Sequence, residues 1–347
     1  MRHLPSALRR PLLLGLIPAA LVLAACGGSS SGGSASPSIS GSGSASTATS
    51  ASAGASTSAT PSPTFDIGDG PAPAVTGAFD TKPTVVLPSD KPSDKLVIKT
   101  VIKGTGAPVK KGDLLVADYQ GQIWDATGKV FDSSYTRGVP ASFPIGLGQV
   151  IAGWDDALVG VNAGSRVVLV VPPAAGYGSA GQTDAGIKGT DTLVFVVDVI
   201  KSYDGTARGN GTKTSASLTG LPTVTGAVNA EPTVKVGTDN TPPTKATAIV
   251  LDKGTGAPLK AGSLAIAQYV AVGWDNSAIA NNWTDKIPNG LNVGVAGNAT
   301  AFDQLVGVPV GSRVLLLIPA PTGQDAKTKS IAAVIDIVGV ETSVGAK

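Results

Sequence analysis

The 347-residue chain holds 26 lysines and arginines against 24 aspartates and glutamates, with one histidine and one cysteine. His3 and three of the arginines fall in residues 1–25; without them the remainder carries a net charge of −1 and no imidazole. That inventory excludes Ser-His-Asp and Cys-His nucleophiles and zinc sites built from histidine or cysteine. It calls for no metal and no cofactor, and gives no sign of a nucleic-acid partner.

Arg2, Arg9 and Arg10 flank or precede an apolar stretch from Leu12 to Leu23, which runs into Ala24-Ala25-Cys26. A basic start, a short apolar segment and small residues at the cut describe a secretory signal rather than a membrane span. The Leu-Ala-Ala-Cys run is similar to the bacterial lipobox. That likeness implies a lipoprotein signal peptide over 1–25 and a diacylglycerol on Cys26, which would anchor the protein outside the cytoplasm on the cell membrane. From Gly27 to Thr64 every residue except Ile39 is Gly, Ser, Ala, Thr or Pro. So little apolar side chain cannot offset ordering entropy, and 26–64 is expected to be a disordered tether with an end-to-end distance of about 35 Å.

Residues 65–92 form an N-terminal extension. Beyond it, short β-branched runs bounded by Gly, Pro or Asp, namely Leu114–Tyr119, Arg166–Val171 and Leu193–Ile200, read as strands. Lys110-Lys111-Gly112-Asp113 reads as a turn into the first of them. Gln149–Val159 places Ile151, Trp154, Leu158 and Val159 on one apolar helix face and leaves Asp155 and Asp156 to solvent. Residues 204–221 are Gly/Thr/Ser-rich and read as a linker.

The chain then repeats itself. Val75-Thr76-Gly77-Ala78 recurs as Val224-Thr225-Gly226-Ala227, Lys103–Pro108 as Lys253–Pro258, and Gly164-Ser165-Arg166-Val167 as Gly311-Ser312-Arg313-Val314. Two units, 93–203 and 222–341, share a framework.

Tyr119, Phe131-Asp132-Ser133-Ser134, Arg137, Phe143, Val150-Ile151 with Gly153-Trp154, Gly164, Ala175-Gly176-Tyr177-Gly178 and Thr192–Phe195 stand in an order and spacing that resemble the FKBP-type peptidyl-prolyl cis-trans isomerases. The resemblance covers about residues 93–203. It implies an α+β architecture of two tandem FKBP-like domains, each a mostly antiparallel twisted sheet wrapped on one short helix. The extension 75–85 is similar to one seen in some actinobacterial relatives. The family's activity is rotation about X–Pro bonds, which needs neither histidine nor metal. The amide barrier is about 18–20 kcal/mol because resonance keeps the bond planar, and a dry aromatic site favours the less polar twisted state.

By that resemblance Trp154 is the floor under the proline ring, with Tyr119, Phe131, Phe195, Val150 and Ile151 as walls and Phe143 among the substrate-binding residues. Tyr177 donates its hydroxyl to a substrate carbonyl, and the Ile151 N–H serves a second. Asp132 sits at the edge, paired with Arg137 and hydrogen-bonded to Tyr119, and Ile187 belongs to a flap. Taken singly these residues have plainer readings: Trp154, Phe131 and Phe195 as ordinary core, Tyr177 as a turn aromatic, Asp132 as a turn cap. Two positions depart from the family pattern, Ala141 where an aromatic is common and Gln182 in the flap.

In the second unit Tyr269 and Trp274 stand 150 residues after Tyr119 and Trp124. At the same offset Asn281-Asn282-Trp283 replace the Phe131-Asp132 run; beyond it, after a deletion, Phe302 replaces the floor tryptophan, and in the last strand Ala333 replaces Phe195. This unit is expected to be inactive, with Trp274, Trp283 and Phe302 left to form at most a weak pocket. The implied whole is a monomeric isomerase, active through its first unit only, that assists exported proteins in folding. Its partners are unfolded or partly folded proline-containing chains. The competing reading is a non-catalytic chaperone or peptide-binding assembly lipoprotein.

Overall fold

The computed structural model describes residues 65–343. The expected signal segment 1–25, Cys26 and the tether 26–64 lie outside them. The first half contains β1 (Ala74–Thr76), β2 (Thr84–Val86), β3 (Val97–Ile102), β4 (Leu114–Ile123), β5 (Val130–Ser133), β6 (Ala141–Pro144), β7 (Arg166–Val171) and β8 (Leu193–Tyr203). The second contains β9 (Thr212–Lys213), β10 (Thr223–Thr225), β11 (Thr233–Lys235), β12 (Thr247–Lys253), β13 (Ser263–Gly273), β14 (Ala278–Asn281), β15 (Asn289–Val293), β16 (Arg313–Ile318) and β17 (Ile331–Glu341). Three α-helices are described: α1 (Ser134–Arg137), α2 (Ala152–Leu158) and α3 (Ala326–Lys329).

All strand pairs are antiparallel. One sheet runs β3-β7-β8-β4-β5, with β6 pairing the start of β4; the other runs β14-β13-β17-β16-β12-β9, with β15 pairing the start of β13. Strand β9 lies within the segment read as a linker, and it extends the second sheet at β12.

Every residue of β4 is buried, so the strand shows no hydrophobic alternation although its side chains do alternate in direction. Leu115, Ala117, Tyr119 and Ile123 enter the core under α2. Leu114 and Val116, on the other face, pack with Leu264 and Ile266 of β13. The two sheets therefore meet back to back near the starts of β4 and β13. The rest of the first sheet's outer face, Val168, Val194 and Val196, is covered by Val75, Val85 and Leu87 of the β1–β2 hairpin and by Trp124.

Each hairpin is tied down by a buried ion pair. The Arg166 guanidinium donates to both carboxylate oxygens of Asp198 at 2.6 Å, to the Gly77 carbonyl at 2.9 Å and to the Thr81 carbonyl at 2.6 Å. Arg313 repeats this with Asp336, Gly226 and Ala230. All four charged side chains are essentially excluded from water. Gly77 and Gly226 have φ of 113° and 99°, a conformation disfavoured for residues with a Cβ.

The helix expected over Gln149–Val159 is shorter, Ala152–Leu158. Its first turn is replaced by a loop in which Gly146 and Gly148 donate their N–H groups to the Asp155 carboxylate at 2.7 and 2.6 Å. Asp155 is thus buried rather than solvated, and Asp156 accepts the Phe65 N–H at 2.8 Å. Burial raises the Asp155 pKa above its ordinary value, with the two N–H donors opposing. The expected single helix per sheet differs in both halves: the first has α1 besides α2, and the second has a 3-10 turn, Ala301–Leu305, at the place of α2, with its α-helix α3 elsewhere, between β16 and β17. No helix among the described residues is long and apolar enough to cross a membrane.

Removing one partner of a buried ion pair strands the other charge, at a cost of about 3–5 kcal/mol. Asp198→Ala is expected to lower unfolding free energy in urea by that amount and to expose the β1–β2 hairpin to limited proteolysis. An unchanged midpoint with an intact hairpin would contradict this.

Candidate active site

Alternation along β4 and β8 sends Tyr119 and Phe195 to the face that α2 covers, and α2 lays Trp154 across them. The indole meets Phe143 at 4.8 Å, Phe195 at 5.3 Å and Tyr119 at 5.5 Å between ring centroids, each edge to face. Tyr119 also meets Phe143 at 5.5 Å, and Phe131 reaches Phe195 at 5.7 Å. Such contacts contribute about 0.5–1.5 kcal/mol each beyond area burial. Five of the six aromatic residues singled out for this site in the sequence form one connected cluster; Tyr177 makes no ring contact with it. Val150, Ile151 and Tyr177 pack against the same core, and Ile187 is buried within it.

Gly121, which pairs with Phe195 on one side and Asp132 on the other, makes room for the rings. A Cβ there would come within 2.7 Å of Phe131 and 2.8 Å of Phe195. The sequence reading passed over this residue, though a glycine in mid-strand is a signal of close approach.

The polar edge is built from β4, β5 and α1. The Tyr119 hydroxyl and the Arg137 guanidinium both donate to Asp132 in very short contacts, and Arg137 also donates to the Tyr119 oxygen at 3.0 Å. Burial pushes the Tyr119 hydroxyl well above the ordinary tyrosine range; Arg137 opposes this and Asp132 adds to it. Tyr119 is therefore a neutral donor already committed to Asp132. Behind it, Ser134 accepts the Tyr119 N–H at 2.9 Å and donates to the buried Asp118 at 2.5 Å, a support that sequence reasoning missed. Asp118 lies on the opposite face of β4, where only tertiary contact reveals a partner.

Tyr177 differs from Tyr119. It follows the 3-10 turn Pro173–Ala175, is half-buried, and its hydroxyl has no hydrogen-bond partner among the described residues. Burial raises its pKa, with the Asp132 carboxylate adding to the shift, so it stays a protonated donor. The Ile151 N–H, at the N-cap of α2, likewise donates to no acceptor among the described residues. Gln182 and Ile187 close the flap with reciprocal backbone bonds of 2.8 and 2.9 Å around Gly186. Ala141, on β6, pairs with Ala117 of β4 and leaves Phe143 as the ring on that side. No group of three His, Cys, Asp or Glu residues among the described ones is placed to hold a metal.

The second half keeps the frame without the rings. Its β13–β14 connection is two residues shorter than the β4–β5 one, so the correspondence there is offset by 148 and not 150. Ala280 takes the position of Asp132, since Ala271 pairs with Ala280 as Gly121 pairs with Asp132. Asn282 takes that of Ser134, accepting the Tyr269 N–H at 2.7 Å. Trp283 is thus not a counterpart of the Phe131 run; it lies under Arg208, 4.9 Å from the guanidinium carbon to the ring centre. Trp274 packs with the β10–β11 hairpin and Phe302 with the opposite core. The weak pocket expected from Trp274, Trp283 and Phe302 does not form, because the three rings occupy separate places.

Residues 106–200 match the family described as FKBP-type peptidyl-prolyl cis-trans isomerase. An FK506-binding protein of Streptomyces anulatus is 37% identical over 119 residues, 34% of this chain and 95% of that one. FK506-binding protein 2 of Dictyostelium discoideum is 43% identical over 112 residues, 32% of this chain and 82% of that one. The crystal structure of AtFKBP13 is similar at 35% identity over 31% of this chain and 94% of that one, with a TM-score of 0.29.

Gly121→Ala is expected to part Phe131 from Phe195 and so to change the near-UV circular dichroism of the Trp154 cluster, while far-UV signal is retained. Unaltered near-UV spectra would mean that the rings do not depend on this glycine.

Proposed function

From the premise that the chain belongs to the FKBP-type peptidyl-prolyl cis-trans isomerase family and is an enzyme of that type, we propose that it works at the ring cluster around Trp154. The observation that carries this is the combination of five connected aromatic rings with a neighbouring tyrosine hydroxyl, that of Tyr177, which no group among the described residues engages. A planar X–Pro amide is polar across its C–N bond. Twisting removes the resonance and that polarity, so an apolar, water-excluding surround raises the planar form relative to the twisted one. The Trp154, Phe143, Phe195 and Phe131 rings supply that surround. The Tyr177 hydroxyl and the Ile151 N–H hold carbonyls on either side of the rotating bond, and Val150 and Ile187 line its approach. Asp132, fixed by Arg137 and Tyr119, keeps the edge rigid so that binding energy is realised in the twisted state.

We read 93–203 and 222–341 as tandem domains of one ancestry, the second without activity, with 65–92 as an extension and 204–221 as the connection. The paired forks of Arg166 with Asp198 and Arg313 with Asp336, each clamping a hairpin, support this. Ala271, Ala280 and Ala333 at the places of Gly121, Asp132 and Phe195 support the loss of activity. The Leu-Ala-Ala-Cys run supports an anchor at Cys26 on the outer face of the cell membrane, and clients that are unfolded or partly folded exported proteins.

In a protease-coupled assay with a prolyl peptide, Tyr177→Phe in the full chain is expected to lower kcat/KM about tenfold, the ~1.4 kcal/mol of one hydrogen bond. Trp154→Ala is expected to lower it further. Full turnover in both variants would sink the assignment, and undiminished suppression of client aggregation by both would favour the chaperone reading. Metabolic labelling with a fatty acid is expected to mark the wild-type protein and not Cys26→Ala; equal labelling would remove the anchor.

A further inference from the structure

We propose that the second half is a buttress for the prolyl site: it positions the segment from Arg137 to Phe143, and Gly290 and Ile266 are positioning residues for the reaction. The proposal rests on the prolyl reading of the first half, and no second-half residue belongs to the ring cluster.

Arg137 and Phe143 are the two ends of the segment and both belong to the site. Between them lie Val139 and Ser142, which face away from it. Val139 is buried in a cluster with Leu114, Val116 and Tyr203 of the first half and Leu264 and Ile266 of β13. Ser142, on β6, sits against Gly290 of β15 so closely that a Cβ on Gly290 would lie 2.3 Å from the Ser142 Oγ. Strand β6 pairs with β4 alone, over four residues, and is held by no other strand of its sheet. A short edge strand of that kind has little to fix it except what it rests on. What it rests on here is the second sheet.

The seat itself is built to stay closed. Tyr203, at the end of β8, lies on Gly339 of β17, where a Cβ would come within 2.5 Å of its ring and hydroxyl. Its hydroxyl is pushed well above the tyrosine range by burial and by its bond to Glu341, to which it donates at 2.5 Å. Lys201 lies 3.6 Å from the same carboxylate and 4.6 Å from the Tyr203 ring centre. The connection is strapped down as well. Arg208 stacks on Trp283 and donates to Gln268 at 3.1 Å, and Asn210 and Gly211 both donate to the Gly311 carbonyl. With both the seat and the connection held, a displacement on β15 passes to β6 and so to Phe143, 4.8 Å from Trp154.

The test is a compensation experiment in the full chain. Gly290→Ala is expected to lower kcat/KM for a prolyl peptide about tenfold and to change the near-UV signal of the Trp154 cluster. Ser142→Gly in the same chain removes the nearest neighbour of the new methyl group, leaving the flexible end of Leu264 at 2.9 Å to give way, and is expected to restore most of both. Should Gly290→Ala fail to fold, Ile266→Val, a smaller change beneath Val139, is expected to lower kcat/KM two- to threefold. Wild-type turnover and an unchanged ring spectrum in folded Gly290→Ala would overturn the buttress while leaving the prolyl site intact, as would a loss that Ser142→Gly does not repair. Absence of turnover in the wild-type chain would instead overturn the prolyl reading, and the ring spectrum of the same variants would then decide the buttress alone.

Discussion

Each half of this chain is organised by a guanidinium and a carboxylate buried together beneath a hairpin. Two full charges in the interior are tolerable only when they are paired and hydrogen-bonded, and the forks of Arg166 with Asp198 and Arg313 with Asp336 are bonded to each other and to hairpin carbonyls, Asp198 accepting also from the Tyr135 hydroxyl and the Asp80 N–H. The arrangement joins two adjacent strands of a sheet to a segment more than eighty residues earlier in the chain. The hairpin so held covers one outer face, which leaves the inner face for the helix and the rest of the outer face for the other half.

On that common frame the two inner faces differ. In the first, a glycine on the central strand lets Phe131 and Phe195 meet, and Trp154 closes over the result. In the second, Ala271 stands at the place that corresponds to the glycine and faces Ala280 and Ala333 across the sheet. The alanine is affordable only because no rings cross there. Frame and site are thus separable: the ion-pair clamp and the hairpin recur in the second half, where the described residues form no ring cluster.

How much of this could be read beforehand varies with the range of the interaction. The ring residues and the Asp132–Arg137 pair were legible because a linked motif names them in order. The start of α2 was not: Gln149 to Ile151 fit a helical period, but the Asp155 carboxylate takes the N–H groups of Gly146 and Gly148 and folds the preceding loop across the helix entrance. An apolar face cannot report a competitor for the backbone at its end. The correspondence near Asn281 slipped by two because a shorter connection follows β13, and repeats on either side of a deletion do not show where it falls. Trp283 was consequently assigned to a site from which it is absent.

The amino-acid sequence by itself determined the repeated frame, the residue types of the site and the absence of imidazole beyond His3, since these are matters of identity and spacing along one chain. Alternation along β4 determined that Leu114 and Val116 face away from Tyr119. Only the tertiary structure decided what covers them: the starts of β4 and β13 back to back, with Tyr203 seated on Gly339 and Ser142 on Gly290. Periodicity specifies which side chains share a face, whereas the surface that a face meets depends on contacts between segments 136 to 150 residues apart, and no local pattern encodes them.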